Sequence, residues 1–252
     1  MDRLEYFDCN CSVGRVGRPL LLDIPDAAGL KGEMAAAGVG RALVYHTVAR
    51  YGDPVLGNAL LMKEIAGHPG LDPVWVILPP QTGEMPAPDK LVEDLRRGGV
   101  KAARMYPGRS RHGFSLADWC AGGVLEALGA AGIPLMLETE SVTWDEVFAV
   151  LDRHRGLPVI MTECSYRHDR FLYPLLGRFE TLHVEMSRFL GAGVIEDLVG
   201  RFGSRPLLFG TNMPVYTGTA AVSMLTYADI DRRDKEAIAG GNLRRLLGEA
   251  GS

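Results

Sequence analysis

The strongest constraint on this chain is a rhythm: apolar, β-prone runs recur about every 29 residues, close to the length of one βα unit. The runs are Glu5–Cys11, Arg41–Thr47, Pro73–Leu78, Val100–Tyr106, Ile133–Glu138, Leu157–Thr162, Thr181–Met186 and Pro206–Gly210. Amphipathic or Ala-rich stretches with helical spacing separate them, over 25–37, 55–67, 89–97, 117–131, 143–154, 168–178, 194–202 and 218–227, with a last helix near 232–247. Several runs (RALVYHT, PVWVILPP, IPLMLET, LPVIMTE, RPLLFGT) are apolar on both faces. Strands buried on both sides belong to parallel sheets covered by helices. Eight such units without a long hairpin signal predict an α/β protein, a closed (β/α)8 TIM barrel forming a single domain over residues 1–252, with an open doubly wound sheet as the alternative. The 31 Gly and 15 Pro then read as punctuation between units.

Other classes are poorly supported. The net charge is −4, and the basic doublets Arg96-Arg97, Arg232-Arg233 and Arg244-Arg245 lie among acidic residues without interleaved aromatics, so no nucleic-acid partner is expected. No apolar run approaches the 18 or so residues that span a bilayer, and MDRLEYFD lacks the apolar region of a signal peptide. The four cysteines (9, 11, 120 and 164) do not make a disulfide framework in a chain of this length. A cytoplasmic protein with a small-molecule partner and no membrane partner is expected, and a homo-oligomer is compatible with the sequence. The Cys9-x-Cys11 pair resembles half of a soft-metal site but has no second half.

In a barrel, the chemistry sits at the C-terminal ends of the strands. Here those ends carry Asn10 and Ser12, His46, Arg104 and Tyr106, Glu138, Glu163, Glu185 and Asn212, whereas the strand middles are apolar. On the seventh run Thr181, His183, Glu185 and Ser187 share one face, while Leu182, Val184 and Met186 share the other. The apolar set should meet the helices, which turns Glu185 inward. Carboxylates aimed into a barrel must be paired, metal-bound or protonated. Three of them, Glu138, Glu163 and Glu185, sharing one mouth should raise at least one pKa through repulsion and create an acid–base pair. Ion pairing to Arg104 or Arg188 is the competing expectation. His46 is read either as a reserve acid–base group or as a hydrogen-bonded core residue. Arg104 with Tyr106 is read as a clamp for a substrate carboxylate or as a structural ion pair.

The sequence resembles the amidohydrolase superfamily, in particular its amidohydrolase-2 group of TIM-barrel metal-dependent hydrolases. The marks are the opening YFDCNCSVG, the middle GVKAARMYPG followed by AGIPLMLETE, and the closing FGTNMP with GGNLRRLLG. The resemblance implies two metal-binding His in an opening D-x-H-x-H, but Asn10 and Ser12 stand there. It implies His at the ends of the fifth and sixth strands, where Glu138 and Glu163 stand, and an Asp after the eighth, where Asn212 stands. Zinc favours imidazole, thiolate or carboxylate, so this set disfavours zinc. No metal or cofactor is expected. If a metal binds, Glu138, Glu163 and Asn212 are the donors, and hard cations such as Mg²⁺, Mn²⁺ or Ca²⁺ suit them.

The expected function is that of a hydrolase (of a lactone, ester or amide) or a related lyase with a degenerate metal site. It would act on a small carboxylated substrate by carboxylate acid–base chemistry. Glu138 and Glu163 would divide the proton transfers, with Glu185 and His46 in reserve. Asn10, Ser12, Arg104, Tyr106 and Asn212 would bind substrate. The alternative is a catalytically retired relative that binds a small ligand or a partner. A phosphate cradle at Gly191-Ala192-Gly193 is a weaker third reading.

Overall fold

The computed structural model describes residues 4–15, 24, 26–189 and 191–249. Eight strands alternate with helices. The strands are β1 (Tyr6–Val13), β2 (Val39–His46), β3 (Leu71–Val76), β4 (Ala102–Met105), β5 (Leu135–Glu138), β6 (Val159–Thr162), β7 (Leu182–Glu185) and β8 (Leu207–Leu208). Each pairs in parallel with the next, in the order β1 to β8. The ring closes because Cys9 N–H donates to Phe209 O and Ser12 N–H to Met213 O, both at 2.9 Å. The buried Asp8 carboxylate reinforces this seam by accepting from the Thr211 hydroxyl at 2.5 Å and the Thr211 amide at 3.1 Å. This is the predicted TIM barrel rather than an open sheet.

The helices are α1 (Ala27–Ala37), α2 (Thr47–Tyr51), α3 (Pro54–Glu64), α4 (Pro88–Arg97), α5 (Asp118–Ala131), α6 (Trp144–Arg153), α7 (Asp169–Leu176), α8 (Val194–Phe202), α9 (Gly218–Tyr227), α10 (Arg232–Glu236) and α11 (Asn242–Leu246). Their starts follow local chemistry. Asp26 caps α1 by accepting from Gly29 N–H, and Asp53 caps α3 ahead of Pro54. Thr143 and Glu146 form a reciprocal capping box on α6. Residue 25, the predicted start of the first helix, lies outside the described residues. The last predicted helix is interrupted: a π-helical turn over Ala237–Gly241 separates α10 from α11. Gly240 allows that turn to approach β1, because a Cβ there would stand 2.9 Å from Glu5 O and 3.2 Å from Phe7 Cβ. No helix among the described residues is long and apolar enough to cross a membrane.

The helix-facing side chains of the strands, including Val44, Ala103, Leu137, Met161, Val184 and Leu207, join the main core outside the barrel. Inside, a second apolar cluster fills the lower half with Phe7, Cys9, Leu43, Val74, Ala102, Met136, Ile160 and Leu208, and α11 contributes Leu243. β1 breaks its own alternation. Asp8 pairs with Ala42 and Cys11 with Val44, so three steps on β1 oppose two on β2. This bulge lets Cys9 join the inner cluster while Cys11 faces the outer one, and it turns Asn10 inward. Cys9 and Cys11 therefore do not converge on a metal, and burial pushes both thiols well above their usual pKa.

Candidate active site

One residue pair further along each strand, the barrel interior changes character. Above Ala102 sits Arg104, above Met136 Glu138, above Ile160 Thr162, and above His183 Glu185. Arg104 donates to Asn10 Oδ1 at 2.7 Å and to Thr162 Oγ1 at 3.0 Å, and it lies 3.7 Å from Glu138 Oε2. Its guanidinium faces the rings of Tyr45 at 4.6 Å and Tyr106 at 5.2 Å. Arg104 is fully buried beneath the cavity described below and is not among that cavity's lining residues. Tyr106 is also fully buried, and its hydroxyl has no hydrogen-bond partner among the described residues.

Glu138 is buried and held by Arg50, whose Nη2 stands 2.5 Å from Glu138 Oε1. The same nitrogen is 3.9 Å from Glu163 Oε1, and Arg50 Nη1 donates to the Tyr45 hydroxyl at 3.2 Å. Arg50 was not apparent from the strand ends because it belongs to α2, a single turn that continues directly from β2. The available signal was distance along the chain: four residues past His46, a helical turn returns a side chain to the mouth. His46 starts that turn, its Nδ1 accepting from Val48 N–H at 3.1 Å. Its ring serves as a helix cap and is not among the cavity's lining residues.

Glu163 lies just past β6 with φ 61°, and Asn212 just past β8 with φ 56°. They are the only described non-glycine residues in the left-handed region, which costs about 1–3 kcal/mol each and is typically tolerated at functional sites. Glu163 accepts from Arg188 Nη1 at 3.3 Å, so the expected Arg188 pairing is present. Asn212 is buried and its Nδ2 has no hydrogen-bond partner among the described residues. Ser12 is buried on the same inward face of β1 as Asn10.

Glu185 points inward as the alternation requires. Its Oε2 accepts from Ser187 Oγ at 3.0 Å, Asn10 Nδ2 at 3.2 Å and Glu163 N–H at 3.3 Å, and its Oε1 from Ser187 N–H. Burial pushes its pKa up to about 7, against the Ser187 and Glu163 donors, which lower it. Burial also raises the pKa of Glu138, against the opposing pull of Arg50 and Arg104. The expected rise is therefore present but its main cause differs: desolvation dominates, and repulsion from Glu163 is a minor contribution at Glu138. Gly210 makes room for Glu185, since a Cβ there would fall 2.4 Å from Glu185 Cγ.

Above this layer opens a cavity of about 770 Å³. Four arginines line it (Arg15, Arg50, Arg111 and Arg188) with two carboxylates, Glu140 and Glu163, and Tyr51 and Tyr216. The Tyr51 ring lies 4.9 Å from the Arg50 guanidinium and 5.2 Å from that of Arg111. Of the site residues expected from sequence, Glu163 alone reaches this lining. Glu138, Glu185, Asn10 and Arg104 form its buried support. Gly191 and Gly193 are not among the lining residues.

The donors left for a metal do not fit one. No group of three or more His, Cys, Asp or Glu side chains placed to hold a metal occurs among the described residues. Arg50 stands between Glu138 and Glu163, and Arg104 occupies the Asn10 oxygen. A divalent ion would have to displace guanidiniums that remain charged at every accessible pH.

Residues 19–248 match the family model described as amidohydrolase. Solved structures with the same fold include an uncharacterised TIM-barrel protein from Bordetella bronchiseptica, 18% identical over 99% of this chain and 100% of that one, with a TM-score of 0.78. A 2,6-dihydroxybenzoate decarboxylase from Rhizobium is 17% identical over 98% and 99% of the two chains, with a TM-score of 0.71. A dihydroxybenzoic acid decarboxylase from Polaromonas sp. JS666, solved with bound manganese and the inhibitor 2-nitroresorcinol, is 12% identical over 98% and 97%, with a TM-score of 0.68. No curated protein sequence matches the chain.

Proposed function

Because the chain belongs to the amidohydrolase family, we propose that it is an enzyme of the lyase or hydrolase type, acting on a small carboxylated substrate by carboxylate acid–base chemistry without a resident zinc. The observation that carries this reading is Glu163, a carboxylate in a left-handed backbone position on the wall of an arginine-lined cavity. A cavity of about 770 Å³ is of the size that encloses a small organic molecule. Arg188 and Arg50 flank Glu163 and supply the seat for an anionic group. Both reaction types need the anion held and a proton-transfer group at a fixed point: decarboxylation needs a proton delivered to the carbon that loses CO₂, and hydrolysis needs one taken from the attacking water and one given to the leaving group. The neighbouring decarboxylases of aromatic acids make that class of substrate the first to assay.

Glu163 is the group we place at the reacting atoms. Glu138 is a positioning residue that acts through Arg50. Glu185 fixes the Glu163 amide and Asn10 from behind and, with its pKa near 7, can hold a proton next to the site. The test is a panel of hydroxybenzoates, other aromatic acids, lactones, esters and amides, read for CO₂ release and for acid release. Glu163→Gln should abolish the turnover found for wild type while the melting temperature stays within a few degrees. An unchanged rate removes Glu163 from the mechanism. Carboxylate binding by wild type with no turnover across the panel would replace the enzyme reading with that of a ligand-binding relative.

A further inference from the structure

We propose that the guanidinium of Arg50, supported by Arg104, is a built-in cation standing between the carboxylates, Glu138 and Glu163, that a metal ion would otherwise need, and that it presents that fixed positive charge to the anionic group of the substrate. The inference rests on the reading of the mouth as a substrate site, but it can be tested without a substrate.

Three observations converge on it. First, guanidinium nitrogens stand beside the acceptors that could bind a metal, although Glu138 Oε2, 3.7 Å from Arg104, has no hydrogen-bond partner among the described residues. Arg50 Nη2 lies 2.5 Å from Glu138 and 3.9 Å from Glu163, and Arg104 reaches Asn10 at 2.7 Å. Second, both cations are held rigidly. Arg50 is gripped by Glu138 and the Tyr45 hydroxyl, with the rings of Tyr51 and Tyr106 within 5.4 Å. Arg104 is held by Asn10 and Thr162 and lies over the Tyr45 ring. A metal is useful because it is a fixed charge that needs no reorganisation during the reaction, and a guanidinium clamped on several sides has the same property. Third, the division of labour is visible in exposure. Arg50 lines the cavity, whereas Arg104 lies buried beneath it. Arg50 can meet a ligand, and Arg104 neutralises the floor and orients Asn10, Thr162 and Glu138. The cavity that Arg50 lines carries four arginines against two carboxylates, Glu140 and Glu163, a balance that attracts an anion and repels a divalent cation.

The experiment is a Mn²⁺ titration of the full chain, followed by the electron paramagnetic resonance signal of free Mn²⁺ and by the melting temperature. Wild type should take up no Mn²⁺ at this site up to millimolar concentration and show no Mn²⁺-dependent melting shift. Arg50→Met releases Glu138 and Glu163 from their cation and should bind Mn²⁺ at least tenfold more tightly than wild type, with a melting temperature that rises as the ion is added. Arg50→Gln, which keeps a donor for Glu138, carries the same expectation and serves if the methionine variant does not fold. Adding Glu138→Gln to either variant should abolish the gained binding. Stoichiometric Mn²⁺ uptake by wild type overturns the proposal, as does a folded Arg50 variant with wild-type Mn²⁺ affinity. Neither result depends on turnover, so the acid–base role of Glu163 stands or falls on its own assay.

Discussion

The lower and upper halves of the barrel interior are built from the same strands, two residues apart, and are opposite in chemistry. Below lie Ala102, Met136 and Ile160, sealed by Leu243 from α11. Above lie Arg104, Glu138 and Thr162, tied together by hydrogen bonds and ion pairs. The lower layer removes apolar surface from water and needs no partners. The upper layer carries the desolvation cost of buried charges and keeps it in check through pairing. Stability is concentrated in one half and chemical capability in the other, and one step of strand alternation separates them.

Substitutions can break this contrast from either side. The largest expected effect is Glu138→Ala, which leaves Arg50 buried without its carboxylate and should cost about 3–5 kcal/mol in urea unfolding. In the lower layer, Met136→Ala should cost about 2–5 kcal/mol through lost burial and a residual cavity. Its signature differs, because the activity of the molecules that remain folded should be unchanged.

The two layers also titrate in opposite senses on β7. Burial drives His183, below, down to about 4, and drives Glu185, above, up to about 7. A histidine whose folded pKa is depressed adds stability above its unfolded value near 6.5 and loses it as pH falls towards 4. A carboxyl whose folded pKa is raised adds stability below its unfolded value near 4.5 and loses it as pH rises towards 7. Each shift corresponds to about 3 kcal/mol, so the two largely cancel between pH 4.5 and 6.5. His183→Asn should leave a stability that falls with rising pH across that window, and Glu185→Gln one that rises. Chemical denaturation at pH 4.5, 5.5 and 6.5 reads both slopes, and matching slopes in the two variants would contradict the assignment.

The smallest effect tests how the upper layer is held from outside. Gly57 on α3 packs against α2, and a Cβ there would stand 2.2 Å from Ala49 N. Gly57→Ala should cost about 1–3 kcal/mol by overpacking and displace Arg50, so carboxylate affinity falls by more than the stability loss explains. Isothermal titration with a ligand from the substrate panel checks this.

How much of this the sequence shows depends on whether a residue's role is set by its own strand. All eight strands are legible because runs such as RPLLFGT and IPLMLET are apolar on both faces, and the inward turn of Glu185 follows from simple alternation on β7. β1 resists the same treatment, because its bulge shifts the inward set from Phe7 and Cys9 to Asn10. Arg50 is less legible still: α2 carries it back over the mouth, and its partners Glu138 and Tyr45 come from other parts of the chain. The resemblance implies altered metal positions at Asn10, Ser12, Glu138, Glu163 and Asn212. It could not show that arginines from elsewhere in the chain fill the space between them.

The proposed substitution of arginine for metal is tested most directly by the metal content of the protein. Elemental analysis of protein purified without added metal or chelator should find well under a tenth of an equivalent of any divalent transition metal, Mg²⁺ or Ca²⁺. One equivalent of bound metal, retained through dialysis and lost on mutating Glu138 and Glu163, would contradict it.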